Sequence, residues 1–383
     1  MRFSERTKCI GESKISKSLA ILEHNSSIIS LGAGEPDFPA PKSVITAAKK
    51  YLDKGYTHYS SLQGRLELRE AIAKKVKKEN KIDATAEEVI VTCGAKEAIL
   101  LGMFSTLDPG DEAIVPDPGY IAYMPVAKTI NAVPVPMQLK EEDDFDISVE
   151  RLKKLVTEKT RLIVLNSPSN PTGAVYKKKS LEEIANVVVE KNLTVLTDEV
   201  YEKLVYDDAE HVSFASLNGM KEYTITIQSF SKSYAMTGFR VGYAVAPKEI
   251  INEMTEFKIC TTICAPTISQ LAAIEAFKAE AYVQKMRREY DRRRKMMIKR
   301  LNELPNIRCV RPRGAFYAFP NVSSFGMSSE KFTDFLLKEA KVLVVPGTEF
   351  GNYGEGYVRM SYATAYEKIE EAMSRIEKVI SKA

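Results

Sequence analysis

Along most of this chain, short apolar runs alternate with longer amphipathic stretches. Val89 to Thr92, Glu112 to Val115, Arg161 to Leu165, Leu193 to Thr197, Thr224 to Ile227 and Gly242 to Ala246 are each nearly continuous in apolar character. Runs so short and so uniformly apolar are expected of strands buried on both faces, since a half-solvated strand alternates instead. Between them, Ser180 to Lys191 places Leu181, Ile184, Val187 and Val188 on one helical face. This alternation predicts an α/β fold built on a mostly parallel sheet. Near Val283 the texture changes to long charged helices, including Met286 to Arg300, then a group of short strands and a closing helix from Tyr366. The expected organisation is a large domain over 46–282 and a smaller α+β domain over 283–383, which the N-terminal segment 1–45 joins.

Composition narrows the class. A chain of 383 residues, 44% hydrophobic and 28% charged, buries a large core and exceeds the usual single-domain size. Its 55 Lys and Arg against 51 Asp and Glu leave +4, too near balance for a nucleic-acid or membrane partner over the whole surface. The cluster Arg287, Arg288, Arg292, Arg293, Arg294, Lys295 is interrupted by Glu289 and Asp291, so it predicts a solvated, ion-paired helix face. Cys9, Cys93, Cys260, Cys264 and Cys309 are odd in number and hold no Cys-x-x-Cys pair, which indicates neither a disulfide framework nor a zinc knuckle. The spacing of Cys260 and Cys264 is that of helix neighbours and predicts buried core thiols. With no apolar leader at the N-terminus and no stretch of membrane-spanning length, the expected compartment is the cytoplasm.

Polar residues with chemical potential gather where the predicted strands end. Arg161 to Leu165 runs into Asn166-Ser-Pro-Ser-Asn-Pro-Thr-Gly173, Leu193 to Thr197 into Asp198-Glu-Val-Tyr201, and Thr224 to Gln228 into Ser229-Phe-Ser-Lys232. Open α/β sheets bind ligands at that carboxyl edge. Taken singly, Asn170 reads as turn chemistry, Asp198 as a helix N-cap and Lys232 as a surface lysine. Delivery of an amide, an acid with a phenol, and an amine to one edge by three consecutive strands is hard to explain by packing alone.

From Gly32-Ala-Gly-Glu-Pro-Asp37 to Tyr357-Val-Arg-Met-Ser-Tyr-Ala363, the chain resembles the class I, fold-type I pyridoxal-phosphate aminotransferases, in the branch that holds archaeal and thermophilic aspartate and aromatic aminotransferases. The resemblance implies a mostly parallel seven-stranded sheet flanked by helices, and pyridoxal 5'-phosphate as cofactor. It implies that Lys232 is the Schiff-base lysine and proton shuttle, and that Asp198 is the partner of the pyridine nitrogen. Tyr201 and Asn170 would then donate to the cofactor's phenolate oxygen, and Tyr120, in Asp-Pro-Gly-Tyr, would stack on its ring. The turn Gly94-Ala95-Lys96, with Ser229, Ser231 and Arg240, matches the phosphate site; such sites use backbone amides at a helix start and a forked cation. Arg359 matches the bidentate grip on a substrate α-carboxylate, beside Gly34 and Asn170. Tyr59 matches a tyrosine that reaches the neighbouring subunit's site, which implies a homodimer. Phe239 stands where the family often has Trp.

The resemblance implies transfer of an amino group from an L-amino acid, aspartate favoured, to a 2-oxo acid such as 2-oxoglutarate. Aromatic amino acids, or carbon–sulfur β-elimination, are the alternatives within the cofactor class, and no residue for a distal substrate carboxylate stands out. Other classes fit less well. Ser229-Phe-Ser-Lys232 satisfies Ser-x-x-Lys, but the Ser-Asp-Asn and Lys-Thr-Gly partners of penicillin-binding hydrolases do not occur. Gly32-x-Gly34 lacks the third glycine of a dinucleotide loop. A nucleic-acid binder would rest on the basic helix alone.

Overall fold

The structure, a computed structural model, describes Ser4, Asn25 and residues 27–381. Its strands in chain order are β1 (Ile29–Ser30), β2 (Val89–Thr92), β3 (Glu112–Asp117), β4 (Val133–Gln138), β5 (Thr160–Asn166), β6 (Thr194–Asp198), β7 (Thr224–Ser229), β8 (Gly242–Val245), β9 (Tyr317–Ala318), β10 (Val342–Leu343), β11 (Val345–Pro346) and β12 (Val358–Ser361). Seven of them form one sheet in the order β2-β8-β7-β6-β5-β3-β4. Pairing is parallel from β7 through β4, and β8 runs antiparallel to both of its neighbours.

The six apolar runs all become strands of this sheet. The seventh strand, β4, reads Val-Pro-Val-Pro-Met-Gln, and its prolines hid it from the apolar pattern. Proline lacks the N–H that a central strand must donate on both sides, so such a segment is admitted only at an edge, where β4 lies. The central strands β5, β6 and β7 are buried almost throughout because helices cover both faces, including Ala95–Phe104, Lys178–Lys191 and Lys248–Ile259.

The C-terminal part is built on the helices Glu280–Glu303 and Tyr366–Ile380, with a three-stranded sheet β11-β12-β9. β1 pairs in parallel with β10, so the first described strand is stitched to this part of the chain. One apolar core joins Ile29 and Leu31 to Met286, Met297, Val342, Met360 and Ile376.

Two surface expectations need correcting. Arg293 and Arg294 do not lie on a solvated face: both are buried, Arg294 completely. Each is held by a carboxylate brought from elsewhere, Arg293 by both oxygens of Asp37 at 2.9 Å and Arg294 by Asp207, with Asp291 of the same helix adding to the Arg294 pair. Paired, hydrogen-bonded guanidinium groups tolerate burial that a lone charge does not. Arg292 does pair with Glu289, and Lys295 with Asp291, on the exposed face. Cys260 and Cys264, in turn, are not core thiols; Cys260 is exposed and Cys264 partly so. Cys260 already caps the helix Lys248–Ile259, and the chain then turns through Ile263 at φ +63°, so their spacing is not helical. Cys9 lies outside the described residues.

Candidate active site

The carboxyl ends of β5, β6 and β7 face a cavity of about 390 Å³, a size suited to a small organic ligand. Gly34, Ala95, Lys96, Tyr120, Asn170, Asp198, Tyr201, Ser229, Ser231, Lys232, Arg240 and Arg359 all line it. Gly94 lies immediately outside this wall as N-cap of the helix Ala95–Phe104, and Tyr59 is absent from it, standing 80% exposed on the surface of the chain.

The parallel register sets the acid in place: Asn166 of β5 pairs with Asp198 of β6. The Asn166 amide donates to the Asp198 carbonyl at 2.9 Å and accepts from the Asn170 N–H at 2.9 Å, so the turn after β5 is braced against β6. The Asp198 carboxylate is buried and accepts from the Tyr123 hydroxyl at 2.8 Å. Burial pushes its pKa up to about 6, an effect that the Tyr123 hydrogen bond opposes. At neutral pH it is still mainly ionised, yet it binds a proton far more readily than a solvated aspartate.

Lys232 sits in the short helix Phe230–Ser233, which begins as β7 ends; the Ser229 side chain caps it by accepting from the Ser231 N–H. Its ammonium donates to the Gly34 carbonyl at 2.5 Å. Desolvation first, then Arg359 and Arg240, lower its pKa to about 8 against the attraction of Glu35 and Asp198. The sign follows directly. Folding disfavours the charged amine, so a stability penalty is fully present below about pH 8 and fades as pH rises towards the unfolded value of 10.5. The reactive neutral amine also becomes dominant above about pH 8. Capture of added pyridoxal phosphate by the cofactor-free protein, followed by absorbance, is therefore expected to quicken ~tenfold per pH unit below 8 and then level off. A rate that kept climbing to pH 10 would show an unperturbed lysine.

Arg359, on β12, is sandwiched between two rings, its guanidinium carbon 4.4 Å from the Tyr317 centroid and 4.8 Å from that of Phe350. It donates to the Asn170 side-chain oxygen at 3.0 Å and the Gly32 carbonyl at 2.7 Å. Its Nε–H is buried and finds no acceptor among the described residues. A buried guanidinium with donors to spare in a small cavity is arranged for a planar anion.

Whether these residues suit pyridoxal phosphate is testable on the turn at Gly94. Gly94 has φ +83°, and a Cβ there would come 2.7 Å from the Arg240 guanidinium. The absent side chain keeps the helix amides and the arginine open to one small space, which Ser229 and Ser231 also border. A phosphate cradle, an acid for a ring nitrogen, and a lysine of lowered basicity fit the cofactor.

Sequence reasoning overlooked several residues of this site. Tyr123 is the hydroxyl partner of Asp198, and Tyr317 shares a 2.8 Å hydrogen bond with the Tyr201 hydroxyl. Glu35, Ile121, Thr237 and Phe350 also line the cavity. Tyr123 carried a signal only in its closeness to Tyr120, three residues before it; it opens the helix Tyr123–Thr129. Tyr317 and Phe350 carried none, because they arrive from the distant C-terminal part.

Fold and site together define a pyridoxal-phosphate-dependent enzyme acting on amino acids. The chain belongs to the family Aminotransferase class I and II, whose pattern matches residues 26–376. It is an amino-acid aminotransferase and depends on pyridoxal phosphate. An aspartate aminotransferase of Pyrococcus abyssi is 49% identical over 384 residues, covering 99% of this chain and 98% of the relative. An aromatic-amino-acid aminotransferase of Thermococcus litoralis is 48% identical over 384 residues, with the same coverage of both chains. Among solved structures, an aromatic aminotransferase from Pyrococcus horikoshii superposes with a TM-score of 0.90 at 50% identity, covering 96% of this chain and 99% of that one. Among the described residues no helix is long and apolar enough to cross a membrane.

Proposed function

We propose that this aminotransferase takes aspartate as its preferred amino donor and passes the amino group to a 2-oxo acid such as 2-oxoglutarate. Pyridoxal phosphate, when bound, supplies an aldehyde that captures amines and a ring that withdraws electrons. The amides after Gly94, with Ser229, Ser231 and Arg240, would hold its phosphate, and Tyr120 would lie against its ring. Asp198 would keep a proton on the pyridine nitrogen, while Tyr201 and Asn170 would donate to the ring oxygen. Lys232 would tether the cofactor, and its amine is placed to take the proton that leaves the substrate's Cα. Arg359 grips the α-carboxylate and so orients the Cα–H bond for cleavage.

One observation supports an acidic substrate side chain. The Lys96 side chain is exposed, lines the cavity, and sets its ammonium 5.8 Å from the Tyr120 ring centroid. A cation there suits a second carboxylate. The names of the Pyrococcus abyssi and Thermococcus litoralis relatives leave both aspartate and aromatic donors in view. A donor panel against 2-oxoglutarate tests the proposal. Aspartate should exceed phenylalanine, tyrosine, alanine and cysteine in kcat/KM, and Lys96→Ala should lower the aspartate value about 10- to 100-fold, the worth of one charged hydrogen bond, while sparing phenylalanine. A higher value for an aromatic donor would overturn it, and pyruvate released from cysteine would point to β-elimination.

We further propose that 46–282 forms the cofactor-binding domain, and that 1–45 and 283–383 act with it as a smaller unit. The working form is proposed to be a cytoplasmic homodimer in which Tyr59 reaches the neighbouring cofactor phosphate. Its 80% exposure supports a surface that a second copy covers. Light scattering that found a monomer at assay concentration would exclude the dimer.

A further inference from the structure

Asp117, the last residue of β3, is completely buried. Its two oxygens are used separately: one accepts the Asn352 N–H and the other the Tyr353 N–H, each at 3.0 Å. Two residues further on, the Gly119 N–H donates to the Phe350 carbonyl at 2.7 Å. These three bonds fasten the turn that carries Tyr120 to the turns Gly347–Phe350 and Asn352–Gly354. Tyr120 lines one side of the active-site cavity, and Phe350 is buried against Arg359 on the other.

The chemistry of the latch selects its residue. Both oxygens must accept, and only an ionised carboxylate offers two acceptors and no donor; an asparagine of the same shape would set an N–H₂ against one of the amides. A neutral solution would be cheaper in an apolar site, since burial pushes the Asp117 carboxyl up to about 6. The loop is shaped to receive it. Gly351 has φ +126°, and a Cβ there would stand 2.0 Å from an Asp117 oxygen. The loop also continues from β11, whose Val345 pairs with Arg359 itself.

We propose that Asp117 is a positioning residue for substrate: its carboxylate locks the Phe350 loop to the Tyr120 turn and thereby holds the Arg359 guanidinium where it meets a carboxylate. The proposal rests on the reading of Arg359 as the carboxylate clamp. It assigns Asp117 to substrate binding and not to cofactor retention, because its hydrogen bonds lead to the Phe350 and Arg359 wall and not to the Gly94 turn, while the Tyr120 turn keeps its place as the direct continuation of β3.

The test uses the cofactor-loaded enzyme, with maleate as a dicarboxylate probe. Asp117→Asn should raise KM for the amino donor and Kd for maleate about tenfold, with kcat changed less and with cofactor absorbance and retention as in wild type. Gly351→Ala attacks the latch from the loop side and should give the same split, which keeps the test open if Asp117→Asn does not fold. In combination with Phe350→Ala, Asp117→Asn should add little further loss, because the two changes disturb one arrangement. Wild-type KM and Kd in the latch variants, with only a lower Tm, would overturn the proposal, as would losses that multiply independently. Arg359→Lys is the control for the reading beneath it. If that variant leaves maleate binding intact, the clamp itself fails; if it weakens binding while the latch variants do not, only the latch fails.

Discussion

Replacement of Lys232 by alanine is expected to lower turnover roughly 10⁴-fold, the upper end for loss of a positioned proton-transfer group. The size of the effect follows from two jobs resting on one atom. On the proposed reading the amine that would tether the cofactor would also be the base, and among the described residues the cavity offers no second candidate at the same place: the nearby acids are Asp198, already bonded to Tyr123, and exposed Glu35, bonded to Thr237. The variant should fold, since the side chain makes one hydrogen bond, to the Gly34 carbonyl, and removing a half-desolvated charge relieves part of its own cost. Purified Lys232→Ala incubated with pyridoxal phosphate should lack the visible absorbance band of the lysine-bound cofactor. Retention of that band, bleached by borohydride as in wild type, would move the tether to another lysine.

Arg359→Lys should come second, with kcat/KM for any amino donor down about 10- to 200-fold, or roughly 1.5 to 3 kcal/mol at the value of charged hydrogen bonds. Charge is kept in this variant, so the loss isolates geometry. A lysine ammonium is a point donor and cannot present a planar fork. It also cannot serve Asn170, Gly32 and a substrate carboxylate together, as the guanidinium is arranged to do with its spare Nε–H. The flat contacts with Tyr317 and Phe350 would be lost as well. Cofactor absorbance should be unaffected. A fall in kcat/KM below fivefold, measured across several donors, would mean that the α-carboxylate binds elsewhere.

Local pattern carried most of the large sheet into view. Apolar runs at β2, β3, β5, β6, β7 and β8 announced themselves because central strands must be apolar on both faces, while β4 was lost because an edge strand tolerates prolines. The same logic located the acid and the lysine, since open sheets place chemistry where strands end. It failed at Cys260 and Cys264, whose helical spacing runs past a helix end, and at Arg293 and Arg294, whose partners Asp37 and Asp207 are far away in sequence.

What the chain determined by itself was thus the α/β alternation, the strand ends that bear Asn166, Asp198 and Ser229, and, through motif resemblance, the aminotransferase chemistry. Those features are local: each depends on a few neighbouring residues and on the period of burial. Only the tertiary structure decided which groups act on them. Tyr123 reaches Asp198 across 75 positions, Asn170 reaches Arg359 across 189, and Asp117 reaches Asn352 across 235. Short hydrogen bonds between such distant residues exist only once the sheet and the C-terminal part have packed, because burial fixes the partners and removes the water that would otherwise satisfy them.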